Sequence, residues 1–290
     1  MLLQHRGDEI EMGPSKIPGD GVVTGWGTVN GPSVFVFAKD FTVFGGSLAE
    51  AHARKITKVQ ALALRSRAPI VDLFDTPAAR IEEGIAALGG YGEISQRNVL
   101  ASGVIPQISV IMGPCTGADA HSPALTDFIF MVRDTSHMFL TGPDIVHTVT
   151  NETVTAEDLG DALVHTTKSS LADGAYDNDV DALLQIRRLL DFLPKSNAGD
   201  VAESPSFDDC GRVGMSLDTL VPDDPNELYA IDELVRKVAV ESDFSEIQEA
   251  FGKNIVTGFG RIDGRTVGFV ANQPKVLAGR RSIRRRGRRF

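Results

Sequence analysis

The chain has 290 residues, 42% of them hydrophobic, enough for one large or two ordinary domains with a buried core. It holds no run of about 18 apolar residues, which excludes a membrane-spanning helix, and its first nine residues are too few and too polar for a secretory signal. The formal charge of −10 is uneven, because seven of the 29 basic residues are arginines between Arg280 and Arg289, leaving 22 to face 39 acidic residues in a body without the basic stripe of a nucleic-acid-binding protein.

Residues 1–20 form a polar lead-in that ends in Ile17-Pro-Gly-Asp-Gly21. Val23-Thr-Gly-Trp-Gly-Thr-Val-Asn-Gly-Pro-Ser-Val34 then recurs 233 positions later as Val256-Thr-Gly-Phe-Gly-Arg-Ile-Asp-Gly-Arg-Thr-Val267, with six of twelve positions identical. Each copy predicts a β-hairpin turning on Asn30-Gly31 or Asp263-Gly264, the residue pair that a two-residue type I′ turn prefers. A repeat of such long period points to a duplicated lobe rather than a solenoid. The run Val34-Phe-Val-Phe-Ala38 predicts a strand covered on both faces. After the loop 41–47, Ser47-Leu-Ala-Glu50 predicts a capping box and a helix to about Arg67. A strand follows at 69–74, then the loop Asp75-Thr-Pro-Ala-Ala-Arg80 and a helix to about Leu100. Another buried strand is predicted at 106–112, followed by the turn Gly113-Pro-Cys-Thr-Gly-Ala-Asp119 and a short helix. Shorter strands at 128–132 and 138–140 and an amphipathic helix at 178–193, stopped by Pro194, complete an α/β pattern. From 194 to 226 the composition shifts to Asp, Ser, Pro and Gly, a candidate linker. A helix at 228–240 and the second hairpin open the repeated lobe. Cys115 and Cys210 lack metal spacing and fit free thiols in a reducing compartment, so a cytoplasmic or matrix location is expected, with neither membrane nor nucleic acid as a partner.

Two loops lie at the carboxyl ends of successive buried strands, 75–80 and 113–119. Both consist of small residues and lead into helices, so their backbone N–H groups are placed to face an anion. Donors fixed about 3 Å from a developing oxyanion stabilise an enolate or a tetrahedral intermediate; tight turns without a catalytic role would have the same composition. Phosphate-loop, dinucleotide, zinc-protease and nucleophile-elbow motifs are absent. The six histidines are scattered, and His121 beside the second loop reads as a structural residue rather than a base. Arg54, Lys55, Lys58 and Arg65 read as a solvated helix face.

Gly19-Asp-Gly-Val-Val-Thr-Gly25, Asp40-Phe-Thr-Val-Phe-Gly-Gly-Ser47, Gln96-Arg-Asn-Val-Leu-Ala-Ser-Gly103, Val104-Ile-Pro-Gln-Ile-Ser109, Ser122-Pro-Ala-Leu-Thr-Asp-Phe128 and Asn178-Asp-Val-Asp-Ala-Leu183 closely resemble the carboxyltransferase β subunits of biotin-dependent acyl-CoA carboxylases, the propionyl-CoA type above all. The likeness runs from about Gly19 to Gly279. It implies a crotonase-like ββα spiral lobe at 1–193, a linker at 194–226, the start of a second, truncated lobe at 227–279, and an aberrant Arg-rich tail at 280–290 that reads as an altered or prematurely ended reading frame rather than a nucleic-acid-binding arm.

The implied reaction moves a carboxyl group from carboxybiotin, carried by a biotin carboxylase/carrier α subunit, to the α-carbon of propionyl-CoA or a similar short acyl-CoA. No side-chain base is obligatory, and no metal or nucleotide is expected on this chain. By the same resemblance the amides of Ala78, Ala79, Gly117 and Ala118 would meet the thioester oxygen. Phe44, Gly45, Gly46, Asp75, Arg80, Gly113 and Cys115 would line the acyl-CoA, and the biotin-binding hole would belong to the second lobe. The family assembles as a homo-oligomer, a hexamer at full length. Two departures stand out. Where the family carries Asp-Ser-Gly-Gly-Ala-Arg, Pro77 lacks an N–H and neither it nor Ala78 reaches the positive φ that glycine permits. Where the family carries Gly-Pro-Cys-Ala-Gly-Gly-Ala, Asp119 would set a carboxylate near the forming enolate, and one lost donor costs about 10²–10³ in rate. With the second lobe cut short as well, impaired transfer is expected, with a non-catalytic remnant or a CoA-binding crotonase-type protein as the alternative.

Overall fold

A computed structural model describes residues 17–209, 211–224 and 227–277; the lead-in up to residue 16, Cys210 and the Arg-rich tail lie outside the described residues. The chain divides into two units, residues 1–200 and 201–290. The boundary falls inside the expected linker. Asn197 N donates to Val104 O at 2.9 Å within the first unit, and Ser204 N donates to Gly264 O at 2.9 Å within the second.

The first unit is built on a seven-stranded sheet. Its strands are β1 (Val22–Thr28), β2 (Ser33–Lys39), β3 (Ile70–Thr76), β4 (Gln107–Thr116), β5 (Phe128–Val132), β6 (His137–Phe139) and β7 (Gly174–Tyr176). The order is β1-β2-β3-β4-β5-β7, with β6 paired to β4. β1 runs antiparallel to β2, and the other pairs are parallel. Parallel neighbours need crossovers, and α1 (Glu50–Ser66) and α2 (Ile85–Ala101) supply those from β2 to β3 and from β3 to β4. α1 turns Ala53, Ile56, Val59 and Ala63 inward at helical spacing. They pack on Phe37, Ile70 and Phe74, and the rings of Phe37 and Phe74 meet edge to face at 5.8 Å. Each fully buried phenylalanine contributes roughly 1.5–3 kcal/mol. The alternate residues Val36, Val71 and Leu73 face the opposite way and, with Leu183, Ile186 and Leu190 of α6 (Asp179–Phe192), line a cavity of about 260 Å³.

The repeated hairpins fold alike. In the second unit α7 (Ile231–Val238) precedes β8 (Phe244–Ile247), β9 (Ile255–Ile262) and β10 (Arg265–Asn272). Val23 faces Ala38 across the first hairpin, and Val256 faces Ala271 across the second, the same register displaced by the repeat. Asn30 and Gly31 have φ of 50° and 112°, and Asp263 and Gly264 have 49° and 74°, as a type I′ turn requires.

Several expected boundaries move. α1 has no capping box: its N-cap is Ala49 without a side-chain cap, Ser47 Oγ donates to Phe44 O at 2.7 Å, and the Glu50 N–H is taken by Glu83 Oε2 at 3.2 Å. A carboxylate distant in sequence has replaced the local cap. β4 continues through the expected turn to Thr116. The short α3 (Pro143–Thr150), α4 (Ala156–Gly160), α5 (Ala162–Thr167), β7 and β8 were not predicted. For α4 a signal exists, since Thr155 and Asp158 form a reciprocal capping box.

Beneath the sheet's α1/α2 face lies an ionisable cluster that hydropathy does not reveal. Asp72, on β3 between Ile70 and Phe74, is fully buried, and neither carboxylate oxygen has a hydrogen-bond partner among the described residues. Burial holds its carboxyl well above the ordinary range, against the pull of Lys39. The folded state therefore keeps a proton that the unfolded chain releases above about pH 4. Stability from this group is present below that pH and is lost as pH rises through the folded pKa. Asp72→Leu, which puts methyls where the oxygens stand, is expected to raise stability by about 1–3 kcal/mol at pH 8, with a smaller gain at pH 5. Urea unfolding at both pH values checks this; a loss at pH 8 refutes it. His52, also fully buried, with no hydrogen bond on either ring nitrogen and Nδ1 4.0 Å from Asp20 Oδ1, has the opposite sign. Burial first, then Lys39, Arg80 and Lys55, hold it well below its usual value, so its share is present above about pH 6.5 and is lost as pH falls through the folded pKa.

Candidate functional site

Three segments meet at the carboxyl ends of β3 and β4. The first is the single turn Phe44–Gly46. It rests against the second, the loop 75–80: a Cβ on Gly45 would stand 3.7 Å from Pro77 Cγ, and one on Gly46 would come within 2.4 Å of Asp75 O. The third is the end of β4 and the 3₁₀ segment Gly117–His121. It is pinned by a hydrogen bond from Thr116 Oγ1 to Pro77 O, and a Cβ on Gly117 would lie 4.0 Å from that of Ala78. Phe44, Gly45, Gly46, Asp75, Ala78, Ala79, Gly113, Gly117 and Ala118 are thereby gathered in one region.

The bonds that hold the loop 75–80 use its carbonyls and the Arg80 amide. Leu48 N donates to Ala78 O at 3.3 Å, and Arg80 N donates to Leu48 O at 2.9 Å, a parallel bridge of Leu48 with Ala79. Among the described residues, the amides of Ala78 and Ala79 find no acceptor in the loops or the sheet. Gly117 and Ala118 begin a 3₁₀ segment; the pairing of Thr116 with Phe139 of β6 draws the Gly117 N–H into the parallel ladder, and the Ala118 N–H is left without an acceptor within the turn. Three amides, those of Ala78, Ala79 and Ala118 on adjacent loops, are left to donate outward. Ala78 and Ala79 take no positive φ, and of the two residues that follow Thr116 only Gly117 does, at 63°. The exchange of glycines for Pro77-Ala78 therefore introduces no backbone strain.

The charged residues turn the other way. Arg80 is 6% exposed in its side chain and spends all five donors inside the protein. Nη1 and Nη2 fork onto Asp20 at 3.1 and 2.6 Å, Nη1 also reaches Glu83 at 3.0 Å, Nη2 reaches Ser47 O at 3.1 Å, and Nε reaches Ser47 Oγ at 3.3 Å. Its guanidinium lies 4.6 Å from the centre of the Phe44 ring. Burial opposes its charge, and Asp20 and Glu83 more than compensate, holding its pKa above the usual value. Arg80 ties the loop to Asp20 and to the start of α1. Cys115 is likewise fully buried; burial and the charge of Asp119 push its thiol up against the pull of Lys39, so only its backbone can reach a ligand.

The carboxylate expected beside the enolate is not there. Asp119 is 1% exposed and points into the core, where it pairs with Lys39 Nζ and accepts from the Tyr91 hydroxyl at 2.6 Å. Burial, with that carboxylate, raises the Tyr91 pKa and keeps it a donor. Lys39, Tyr91 and Asp20 escaped the sequence reading; a lysine closing an apolar strand was the available sign. Asp75 remains half-buried, its pKa raised by burial and by the charges of Asp179 and Asp40, and its Oδ1 occupies the space a Cβ on Gly113 would need, 2.1 Å away. His121 is exposed. On the expected cationic face of α1, Lys55 is committed to Gly19 O at 2.5 Å and Arg54 to Glu50 at 2.5 Å.

Residues 1–285 match the carboxyl transferase domain family. The chain is 61% identical over 279 residues to the propionyl-CoA carboxylase beta chain of Cereibacter sphaeroides, covering 96% of this chain and 55% of that protein. It is 50% identical to the mitochondrial propionyl-CoA carboxylase beta chain of Homo sapiens, over 96% of this chain and 52% of that one. Among solved structures, the transcarboxylase 12S hexamer with hydrolysed methylmalonyl-coenzyme A bound superposes with a TM-score of 0.90 at 39% identity, over 96% of this chain and 55% of that chain. The chain spans about half the length of the curated relatives it matches. Its α/β architecture is the crotonase-like one of these carboxyltransferases.

Proposed function

Because the chain belongs to the carboxyl transferase domain family, we propose that it carries the acyl-CoA-holding half of a biotin-dependent acyl-CoA carboxylase, with propionyl-CoA or a similar short thioester as acceptor, acting in the cytoplasm. The observation that supports this reading is the meeting of two loops whose amides at Ala78, Ala79 and Ala118 have no acceptor among the described residues, while Arg80, Lys39 and Asp119 are drawn inward. A thioester oxygen at that junction would be met by N–H donors alone. Such donors stabilise negative charge as the α-carbon becomes nucleophilic, without the reorganisation that water requires.

Carboxybiotin, on a biotin carboxylase/carrier partner, supplies the carboxyl group, and no side-chain base is obligatory. This chain's own residues hold and polarise the thioester. Phe44, Gly45 and Gly46 would pack along the acyl-CoA, Asp75 and Gly113 would shape the floor, and Arg80 would act from within, as an anchor of the loop. Assembly into a homo-oligomer, as in the transcarboxylase 12S hexamer, is part of the proposal.

Infrared difference spectroscopy on the chain with propionyl-CoA labelled at the thioester carbonyl tests the reading. The bound carbonyl is expected to absorb at lower frequency than in water, and free CoA is expected to compete for binding. An unshifted carbonyl at saturation would remove the oxyanion role.

A further inference from the structure

The mechanism just proposed uses amides and leaves a buried ionic cluster idle directly beneath them. Asp119 is the third residue of the 3₁₀ segment Gly117–His121, two positions from Gly117. Its carboxylate bonds to Lys39, the last residue of β2, and to Tyr91 of α2 at 2.6 Å. The side chains of Lys39 and Asp119 are 1% and 2% exposed. One short turn is thus clamped to a strand and to a helix that come from elsewhere in the chain.

We propose that Lys39, Tyr91 and Asp119 form a positioning device that sets the aim of the Ala118 amide. This rests on the acyl-CoA reading above and goes beyond it, since none of the three residues touches substrate. A five-residue 3₁₀ segment has poorly aligned hydrogen bonds and little hold on its own direction, whereas useful donors must be held to about 0.5 Å and 10–20°. Asp119 converts the ion pair and the phenol into that constraint. The pair must lie under the turn for this purpose, because a surface pair would neither stay in one geometry nor keep its strength in salt.

A purely structural pair would affect stability and leave the bound carbonyl alone. The test is the carbonyl frequency of labelled propionyl-CoA bound to the full chain, compared among wild type, Tyr91→Phe and the double variant Lys39→Met/Asp119→Leu. Removing both charges together is tolerated by many cores, and Tyr91→Phe keeps the ring, so it decides the matter if the double variant does not fold. Binding is expected to stay within about twofold, because most contact area with the ligand is untouched, while Tyr91→Phe loses about half of the frequency shift and the double variant more, since N–H donors weaken steeply off line. A full wild-type shift in a folded Tyr91→Phe protein overturns the positioning role and leaves the acyl-CoA reading standing. No shift in the wild type overturns both.

Discussion

Arg80→Ala is expected to lower the unfolding free energy by about 3–5 kcal/mol, the cost typical of breaking a buried ion pair from one side. The guanidinium holds two carboxylates that have no access to water, Asp20 at 0% and Glu83 at 4% side-chain exposure. Without it, both are buried and uncompensated. Glu83 also accepts the Glu50 N–H at the start of α1, so the helix N-terminus loosens with it. Arg80→Lys returns a charge but not the planar fork that matches Asp20 in two bonds, and a loss of roughly 1–3 kcal/mol is expected. Arg80→Ala/Asp20→Ala should recover part of the single-variant loss, because the orphaned charge is gone. Urea titrations of the four proteins measure this. A loss below about 1 kcal/mol for Arg80→Ala would mean that the fork is a surface-like contact.

Gly46→Ala should be nearly as damaging, at about 2–5 kcal/mol, and should weaken propionyl-CoA binding at the same time. Two costs add. Gly46 has φ of 67°, where a Cβ costs about 1–2 kcal/mol. That Cβ would also stand 2.4 Å from the backbone oxygen of Asp75 and 3.4 Å from Thr76 Cβ. Main chain cannot rotate aside as a side chain can, so the end of β3 must shift, at an overpacking cost of about 1–3 kcal/mol. The residues displaced lead directly to the Ala78 amide. Gly45→Ala is the control: its φ is 64°, yet its Cβ would meet only Pro77 at 3.7 Å, ordinary contact. It should show the conformational cost alone, about 1–2 kcal/mol. Equal losses in the two variants would refute the steric part.

Much of the fold was legible because period and turn chemistry are local. Apolar runs at 34–38, 69–74 and 106–112 became adjacent parallel strands, and Asn30-Gly31 and Asp263-Gly264 became the two hairpin turns. The site was legible only as loops. Ser47 shows why the rest was not: its spacing to Glu50 suits a capping box, yet its hydroxyl donates back to Phe44 O and accepts from Arg80, and a partner as distant in sequence as Arg80 leaves no local trace. Asp119 shows the same from the opposite side. Read in line, it is a charge in a loop that stabilises anions; folded, it is neutralised by Lys39, 80 residues earlier.

Residue order by itself determined the strand and helix periods, the type I′ turns, the duplicated hairpin and the small-residue loops after two buried strands, since each depends on neighbours within a few positions. Only the tertiary structure decided which way each charge turns, which amides stay free, and which carboxylate caps α1. Those outcomes depend on desolvation and on partners brought together by chain crossings, and burial costs a charge several kcal/mol unless such a partner arrives.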